Sequence, residues 1–274
     1  MSNVDREVVE SFGREWQAFD QSSVSEDELR KIFNGYFALF AWDRLPPGAM
    51  GFDVGCGTGR WARFVAARVG RLHCIDPSDA IEVARRNLRG YANVELHRAD
   101  VDHIPLSAAS MDFGYSIGVL HHLPDTAAGL RACVEKLKPG APFLLYLYYA
   151  FDNRPLWFRA AWKTSDAVRK LVSRGPYWLK RLFCEVAAAI IYWPLARLAA
   201  ALEKLGVEVS SIPLSAYRQR SYYIMRNDAL DRFGTKLERR FSRKQITQMM
   251  EDAGLTDVRF SESPPFWCAT GVRK

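Results

Sequence analysis

The 274-residue chain lacks any Cys-x-x-Cys pair, and its five cysteines, Cys56, Cys74, Cys133, Cys184 and Cys268, are scattered. An odd, dispersed set in a chain this long argues against a disulfide framework and a structural zinc site, and points to a reducing, cytosolic setting. No basic segment followed by an apolar one stands at the N-terminus, so no secretory leader is expected. Long unbroken apolar runs are missing too. The most apolar stretch, residues 182–202, contains Glu185, Pro194 and Arg197. It suits an interfacial or cap helix better than a membrane span. His73, His97 and His103 are dispersed without ligand spacing, so no metal is expected. No Gly-x-x-x-x-Gly-Lys-Ser/Thr loop is present to cradle a triphosphate. What is not scarce is apolar and charged residues, 49% and 25%, which excludes disorder and collagen-like fibre. The length allows one enlarged domain or two small ones with a sizeable core.

Charge is unevenly placed. The net is +7, yet residues 151–240 hold 17 Lys/Arg against 8 Asp/Glu and the rest of the chain is slightly acidic. The basic excess is either a solvated helical surface or a face that meets something anionic.

Residues 1–49 read as a helical cap rich in aromatics and end at Pro46-Pro47-Gly48. Short apolar strands are then expected at 50–55, 71–76, 94–99, 111–118 and 143–149, the last apolar along its length. Helices fall between them at 60–69, 78–88 with Ser78 as cap, and 126–137. This alternation predicts an α/β fold, a doubly wound parallel sheet with helices on both faces, with residues 50–149 as its core. Residues 150–240 lose the strand rhythm and read as a helical basic insertion, an acceptor lid. Residues 241–274 return with a helix to Ala253, Gly254 as its stop, and two last strands.

Asp53-Val54-Gly55-Cys56-Gly57-Thr58-Gly59 sits between the first strand and helix. Alternate glycines let the backbone turn tightly and let a ligand approach it. The dinucleotide form Gly-x-Gly-x-x-Gly is not met, because Arg60 stands at its third glycine. Asp76 and Asp100 end the second and third strands. The first suits the hydroxyls of a ribose and the second the height of an adenine. Asp53 lies inside its strand and needs a cationic or hydrogen-bonding partner.

Asp53-x-Gly55-x-Gly57-x-Gly59, Asp76, Ala99-Asp100 and Leu137-Lys-Pro-Gly140 resemble the motifs of class I S-adenosylmethionine-dependent methyltransferases over roughly residues 50–150. Residues 112–125, with Ile117-Gly-Val-Leu-His121-His122, are similar to the post-strand-four motif of the small-molecule, type 11-like branch. More weakly, residues 226–234 and Pro265-Phe-Trp267 resemble segments of uncharacterised bacterial methyltransferases, some of them from surface-glycan or secondary-metabolite gene sets. The resemblance implies a Rossmann-like seven-stranded sheet with the last strand antiparallel, and S-adenosylmethionine as cofactor with S-adenosylhomocysteine as product. It implies cofactor contacts from Asp53, Gly55, Cys56, Gly57, Gly59, Asp76, Pro77, Asp100, Val101 and Ile117, with Trp16 and Tyr36 closing over the ligand.

The acceptor is less defined. The Asn/Asp-Pro-Pro-Tyr/Phe motif of DNA and protein amide methyltransferases is missing after strand four, which demotes nucleic acid; Ser263-Pro-Pro-Phe266 stands in the wrong place and reads as a turn. A small-molecule or glycan acceptor, methylated on oxygen, is the expected reading. The alternatives are an amine, a lipid or quinone at a membrane surface, or cofactor binding without turnover. His121 and His122 are the candidate catalytic bases or, equally, holders of their loop. Tyr148 and Tyr149 are candidates to line the acceptor pocket, as is Asp152. Arg218, Tyr222, Arg226 and Arg232, with Arg220 and aromatics between them, suit an anionic acceptor. Were the charge to serve anionic lipid instead, Arg159, Lys163, Lys170, Lys180 and Arg181 would matter more. A cytoplasmic protein is expected, with peripheral membrane contact and oligomeric state left open.

Overall fold

The computed structural model describes residues 2–20, 23–209 and 212–274. Positions 1, 21, 22, 210 and 211, within the expected cap and insertion, lie outside the described residues. The chain forms two compact units. One comprises Met1–Gln21, Leu29–Ala150 and Leu237–Lys274, the other Ser22–Glu28 and Phe151–Lys236.

Two helices open the chain, α1 (Arg6–Ala18), capped by the Asp5 carboxylate, and α2 (Glu26–Tyr36), which enters the first unit at Leu29. The first unit then alternates β1 (Met50–Val54), α3 (Ala62–Ala66), β2 (Arg71–Ile75), α4 (Ala80–Asn87), β3 (Val94–His97), β4 (Phe113–Ile117), α5 (Thr126–Lys136) and β5 (Pro142–Tyr146). The sheet order is β3-β2-β1-β4-β5-β7-β6, where β6 is Leu255–Phe260 and β7 is Cys268–Arg273. The first five strands pair in parallel, and β7 inserts antiparallel between β5 and β6. The sheet is therefore the expected seven-stranded one with its last strand reversed.

Phe52, Phe113, Tyr115 and Phe143 are fully buried in the central strands. Register explains how such rings fit side by side. Gly51 faces Phe113 and Phe52 faces Gly114 across β1 and β4. A Cβ on either glycine would lie within 2.5 Å of the opposite ring, so each ring occupies the space its partner's missing side chain leaves.

Several expected boundaries move. The helix predicted over 60–69 is the single turn and a half of α3. The strand predicted over 94–99 ends at His97, because the Asp100 carboxylate caps a 3-10 turn at Val101–His103 by accepting the Asp102 N–H at 3.0 Å. The fifth strand ends at Tyr146, not Tyr149. Beyond it the Phe241 N–H donates to the Tyr148 carbonyl and the Ala150 N–H to the Phe241 carbonyl, both at 2.9 Å. That pairing also delays the next helix, α10 (Arg243–Asp252), which starts behind a Ser242–Gln245 capping box. Ser78 stands one residue before the cap position, and its hydroxyl accepts the first helical N–H, that of Ala80, at 3.2 Å.

The second unit is helical: α6 (Leu156–Val172), α7 (Tyr177–Ala187), α8 (Trp193–Lys204) and α9 (Tyr222–Gly234). A π-helical segment, Ala188–Tyr192, joins α7 to α8 immediately before Pro194. Proline lacks the N–H an α-helix would use, and the wider turn carries the helix across it. Tyr177–Lys204 is thus one 28-residue helical run, long and apolar enough by length and composition to cross a membrane, with a third of its most apolar window buried.

Candidate cofactor and active site

The glycine loop leaves the carboxyl end of β1. Gly55, Gly57 and Gly59 all have positive φ, +79°, +53° and +75°. Asp76, just past β2, is buried and accepts three donors. The Gly57 N–H reaches Oδ2 at 2.9 Å, and the Ser78 N–H and hydroxyl reach Oδ1 at 2.9 and 2.6 Å. Burial raises its pKa and these donors oppose the rise. A carboxylate offers about four lone-pair sites, so one acceptor position is left for a ligand hydroxyl; a second hydroxyl must displace one of the present donors.

Asp53 is the most perturbed acid. It is 2% exposed, and burial pushes its pKa up to about 8. Tyr115 and Arg60 oppose the shift. The Tyr115 hydroxyl comes close without completing a hydrogen bond, and Asp53 Oδ2 has no partner among the described residues. An orphaned buried carboxylate oxygen beneath a glycine loop suits a ligand that brings a cation or an N–H.

The partly buried Trp16 lies on that loop, with Nε1 3.5 Å from where a Gly57 Cβ would sit. Arg60 stacks over Trp16 and over the buried Trp61, at 4.9 and 4.5 Å from the ring centroids. Tyr36 packs against Trp61 and Tyr146. Val101 and Ile117 are buried, while Pro77 and Asp100 are partly exposed. Both bonds to Asp100, from Asp102 N–H and from His103 Nδ1 at 2.8 Å, land on Oδ1. Cys56 is buried beside Cys74, which with burial pushes its thiol pKa well up and keeps it protonated.

The loop after β4 brings His121 and His122 into a closed aromatic site. His121 is fully buried and stacks on Tyr148, centroids 3.9 Å apart. Neither of its ring nitrogens has a hydrogen-bond partner among the described residues. Burial, then His122 and Arg240, hold its pKa well below the usual imidazole value, so the ring is neutral. His122 Nδ1 lies 2.7 Å from the Leu237 carbonyl, and its ring packs on Phe12. Arg240 bonds to the Glu238 carboxylate at 2.8 Å and to the Tyr149 carbonyl at 3.3 Å, and lies over Tyr148. Arg240, Glu238, Trp61 and Tyr115 escape the sequence reading as site residues, because none belongs to a spaced motif; Ser78 is expected only as a helix cap and Arg60 only as a departure from the dinucleotide loop.

The structure keeps the proposed acceptor arginines occupied. In the second unit, Arg218 pairs with Glu203 at 2.8 Å, Arg226 pairs with Glu185 beside Tyr222, and Arg232 donates to the Ser165 hydroxyl at 3.1 Å. A further correction concerns His73 and His97, distant in sequence but 3.0 Å apart across β2 and β3.

Comparison with known proteins follows this geometry. Residues 52–140 match the family model of the methyltransferase domain. The ubiquinone biosynthesis O-methyltransferase of Hahella chejuensis is 32% identical over 139 residues, 49% of this chain and 57% of that protein. That of Methylocella silvestris is 29% identical over 174 residues, 57% of this chain and 66% of that protein. These matches thus span little more than half to two thirds of the relatives' length. Among solved structures, the S-adenosylmethionine-dependent methyltransferase SibL in its apo form superposes with a TM-score of 0.51 at 18% identity, covering 89% of this chain and 55% of that one.

Residues 52–140 match a methyltransferase domain. A methyltransferase solved with the Haloferax volcanii Trm112 activator shares the fold across 96% of this chain and 97% of that one, with a TM-score of 0.51 and 16% identity. The matched stretch carries β1 to β4, the half of the sheet that ends at the edge strand β3, and β5, β7 and β6 complete the sheet from outside it.

Proposed function

We propose that the chain is an S-adenosylmethionine-dependent O-methyltransferase acting on a small hydroxylated acceptor. The observation that carries this reading is the paired state of the two acids: Asp76 tied to the glycine loop, and Asp53 buried beneath it with an oxygen left over. In this reading Asp76 and Gly57 hold the ribose side, Asp53 faces the positive end of the cofactor, Asp100 and Val101 take the adenine, and Trp16 covers the loop. Bound there, S-adenosylmethionine supplies an electrophilic methyl group, which the acceptor oxygen takes as it gives up its proton. In this reading His121 accepts that proton. It is neutral, its nitrogens are unpartnered, and the rings around it exclude water. A base in that position is worth roughly 10²–10⁴-fold.

The relatives named for ubiquinone biosynthesis make an apolar phenol or quinol the acceptor to try first. The second unit supports the same choice. Trp178, Leu182, Val186 and Ile190 follow one another every fourth residue and are 46–67% exposed. The opposite side of the same helical run is fastened within the unit: Cys184 Sγ donates to the Ala229 carbonyl at 3.3 Å, and Lys180 donates to that of Gly234 at 3.1 Å. A helix fastened on one side and apolar on the other is suited to lie in a membrane surface. Arg159 and Lys163 on α6 and Arg181 on α7 are exposed, as anionic lipid would require. This reading is preferred to an anionic acceptor because Arg218 and Arg226 are paired with Glu203 and Glu185, while Arg232 donates to the neutral Ser165 hydroxyl. The test is methyl transfer from labelled S-adenosylmethionine to a panel of catechols, hydroxylated quinols, sugar nucleotides and amines. Turnover confined to the amines would refute O-methylation.

A further inference from the structure

The parallel edge strand β3 and its neighbour β2 carry a second cluster that the methyl-transfer reading does not use. In the β2–β3 register, His73 stands opposite Glu95 and Ile75 opposite His97. Side chains alternate along a strand, so His73, Glu95 and His97 fall on one face. His73 Nδ1 lies 3.0 Å from His97 Nε2 and 3.3 Å from Glu95 Oε2, and His97 Nε2 lies 4.0 Å from the same oxygen. Two sides of this triangle are close to the edge of a coordination tetrahedron, and the third, 4.0 Å, is longer. Bonds of about 2.0–2.1 Å to nitrogen and oxygen give a ligand–ligand separation of about 3.3 Å.

We propose that His73, Glu95 and His97 form a site for one zinc-like divalent cation, distinct from the cofactor site. Two imidazoles and a carboxylate suit zinc or a neighbouring late transition metal rather than calcium or magnesium, which prefer all-oxygen ligands. The rest of the cluster fits that role. Arg71 holds the other carboxylate oxygen, Oε1, at 3.2 Å, which orients Oε2 toward the imidazoles. The exposure rises from His73 through His97 to Glu95, whose side chain is 44% exposed, so a cation enters from solvent and a water completes the fourth position. The Arg71 charge counts against the cation, which makes this a site of modest affinity. Its structural effect is to pin the edge strand β3 onto β2. Those two strands lead directly to Asp100 and Asp76.

The test uses the full chain, stripped with a chelator, dialysed and titrated with zinc chloride by calorimetry. The expected result is one zinc per chain and a rise in melting temperature. Glu95→Gln and His97→Gln, at partly exposed positions that leave His73 packed, should each weaken zinc binding at least tenfold. His103→Gln should leave it unchanged. Cobalt should give the visible absorption of a tetrahedral complex without a thiolate charge-transfer band, which separates this site from the five buried cysteines. Zinc binding that is undetectable, or equally strong in all variants, would overturn the proposal and leave an imidazole–imidazole hydrogen bond only.

Discussion

Gly55 lies directly beneath Val119: a Cβ on Gly55 would stand 2.3 Å from Val119 Cγ2. The glycine loop and the loop after β4 are therefore in contact through a missing side chain, and Gly55 also has φ of +79°. Gly55→Ala should destabilise the protein by about 1–3 kcal/mol through overpacking and strain. Adding Val119→Ala should restore part of that loss, because it removes the clash and not the backbone strain. Thermal melts of the three variants check this, and an unchanged melting temperature for Gly55→Ala would contradict it.

Asp53 predicts an unusual pH dependence. Its folded pKa of about 8 lies above the unfolded value of 3.8. Between those values the unfolded chain has released the proton and the folded chain has kept it. Stability contributed by this group is therefore full below pH ~4 and falls as pH rises toward 8. Asp53→Asn should raise the melting temperature of the ligand-free protein at pH 7–8, with the gain vanishing near pH 4. It should at the same time weaken binding of the cationic S-adenosylmethionine more than that of neutral S-adenosylhomocysteine. Equal melting temperatures across the range would show that Asp53 does not carry the displaced titration.

His121 separates a base from a scaffold. His121→Phe preserves a flat ring against Tyr148, so the fold should survive while kcat falls by about 10²–10⁴. Burial holds the imidazole well below its ordinary pKa, so wild-type activity should show no inflection near pH ~6.5 from this residue. Wild-type turnover in His121→Phe would make the ring structural.

Membrane docking predicts that the chain floats with anionic phosphatidylglycerol vesicles and weakly or not at all with neutral phosphatidylcholine. Replacing Trp178, Leu182 and Ile190 with serine should abolish flotation. Arg159→Gln with Lys163→Gln should lower it about tenfold or more, at about 1 kcal/mol per charge near the surface. Circular dichroism checks that the variants fold. Flotation insensitive to either set would leave these helices without a membrane role.

The parallel core was legible because each of its signals is local: Gly55, Gly57 and Gly59 at a strand end, acids at 76 and 100, and the Pro139-Gly140 stop. Where the reading departed from the structure, a distant partner decided the outcome. Tyr148 and Tyr149 look like strand by composition, but Phe241 captures their backbone. His73 and His97 look dispersed until β2 and β3 pair. Arg218 and Arg226 look free until Glu203 and Glu185 come across to them. The burial of His121, which sets its chemistry, depends on Tyr148 and the segment around Arg240, and no spacing in the sequence links these residues.

The most direct test of the cofactor site is calorimetric titration of S-adenosylhomocysteine into wild-type protein and Asp76→Ala. One site per wild-type chain is expected, with at least about tenfold weaker binding in the variant, equivalent to roughly 1.4 kcal/mol, and a circular dichroism spectrum that is unchanged. Unaltered affinity in Asp76→Ala, or a wild-type chain that ignores S-adenosylhomocysteine and binds NAD, would contradict it.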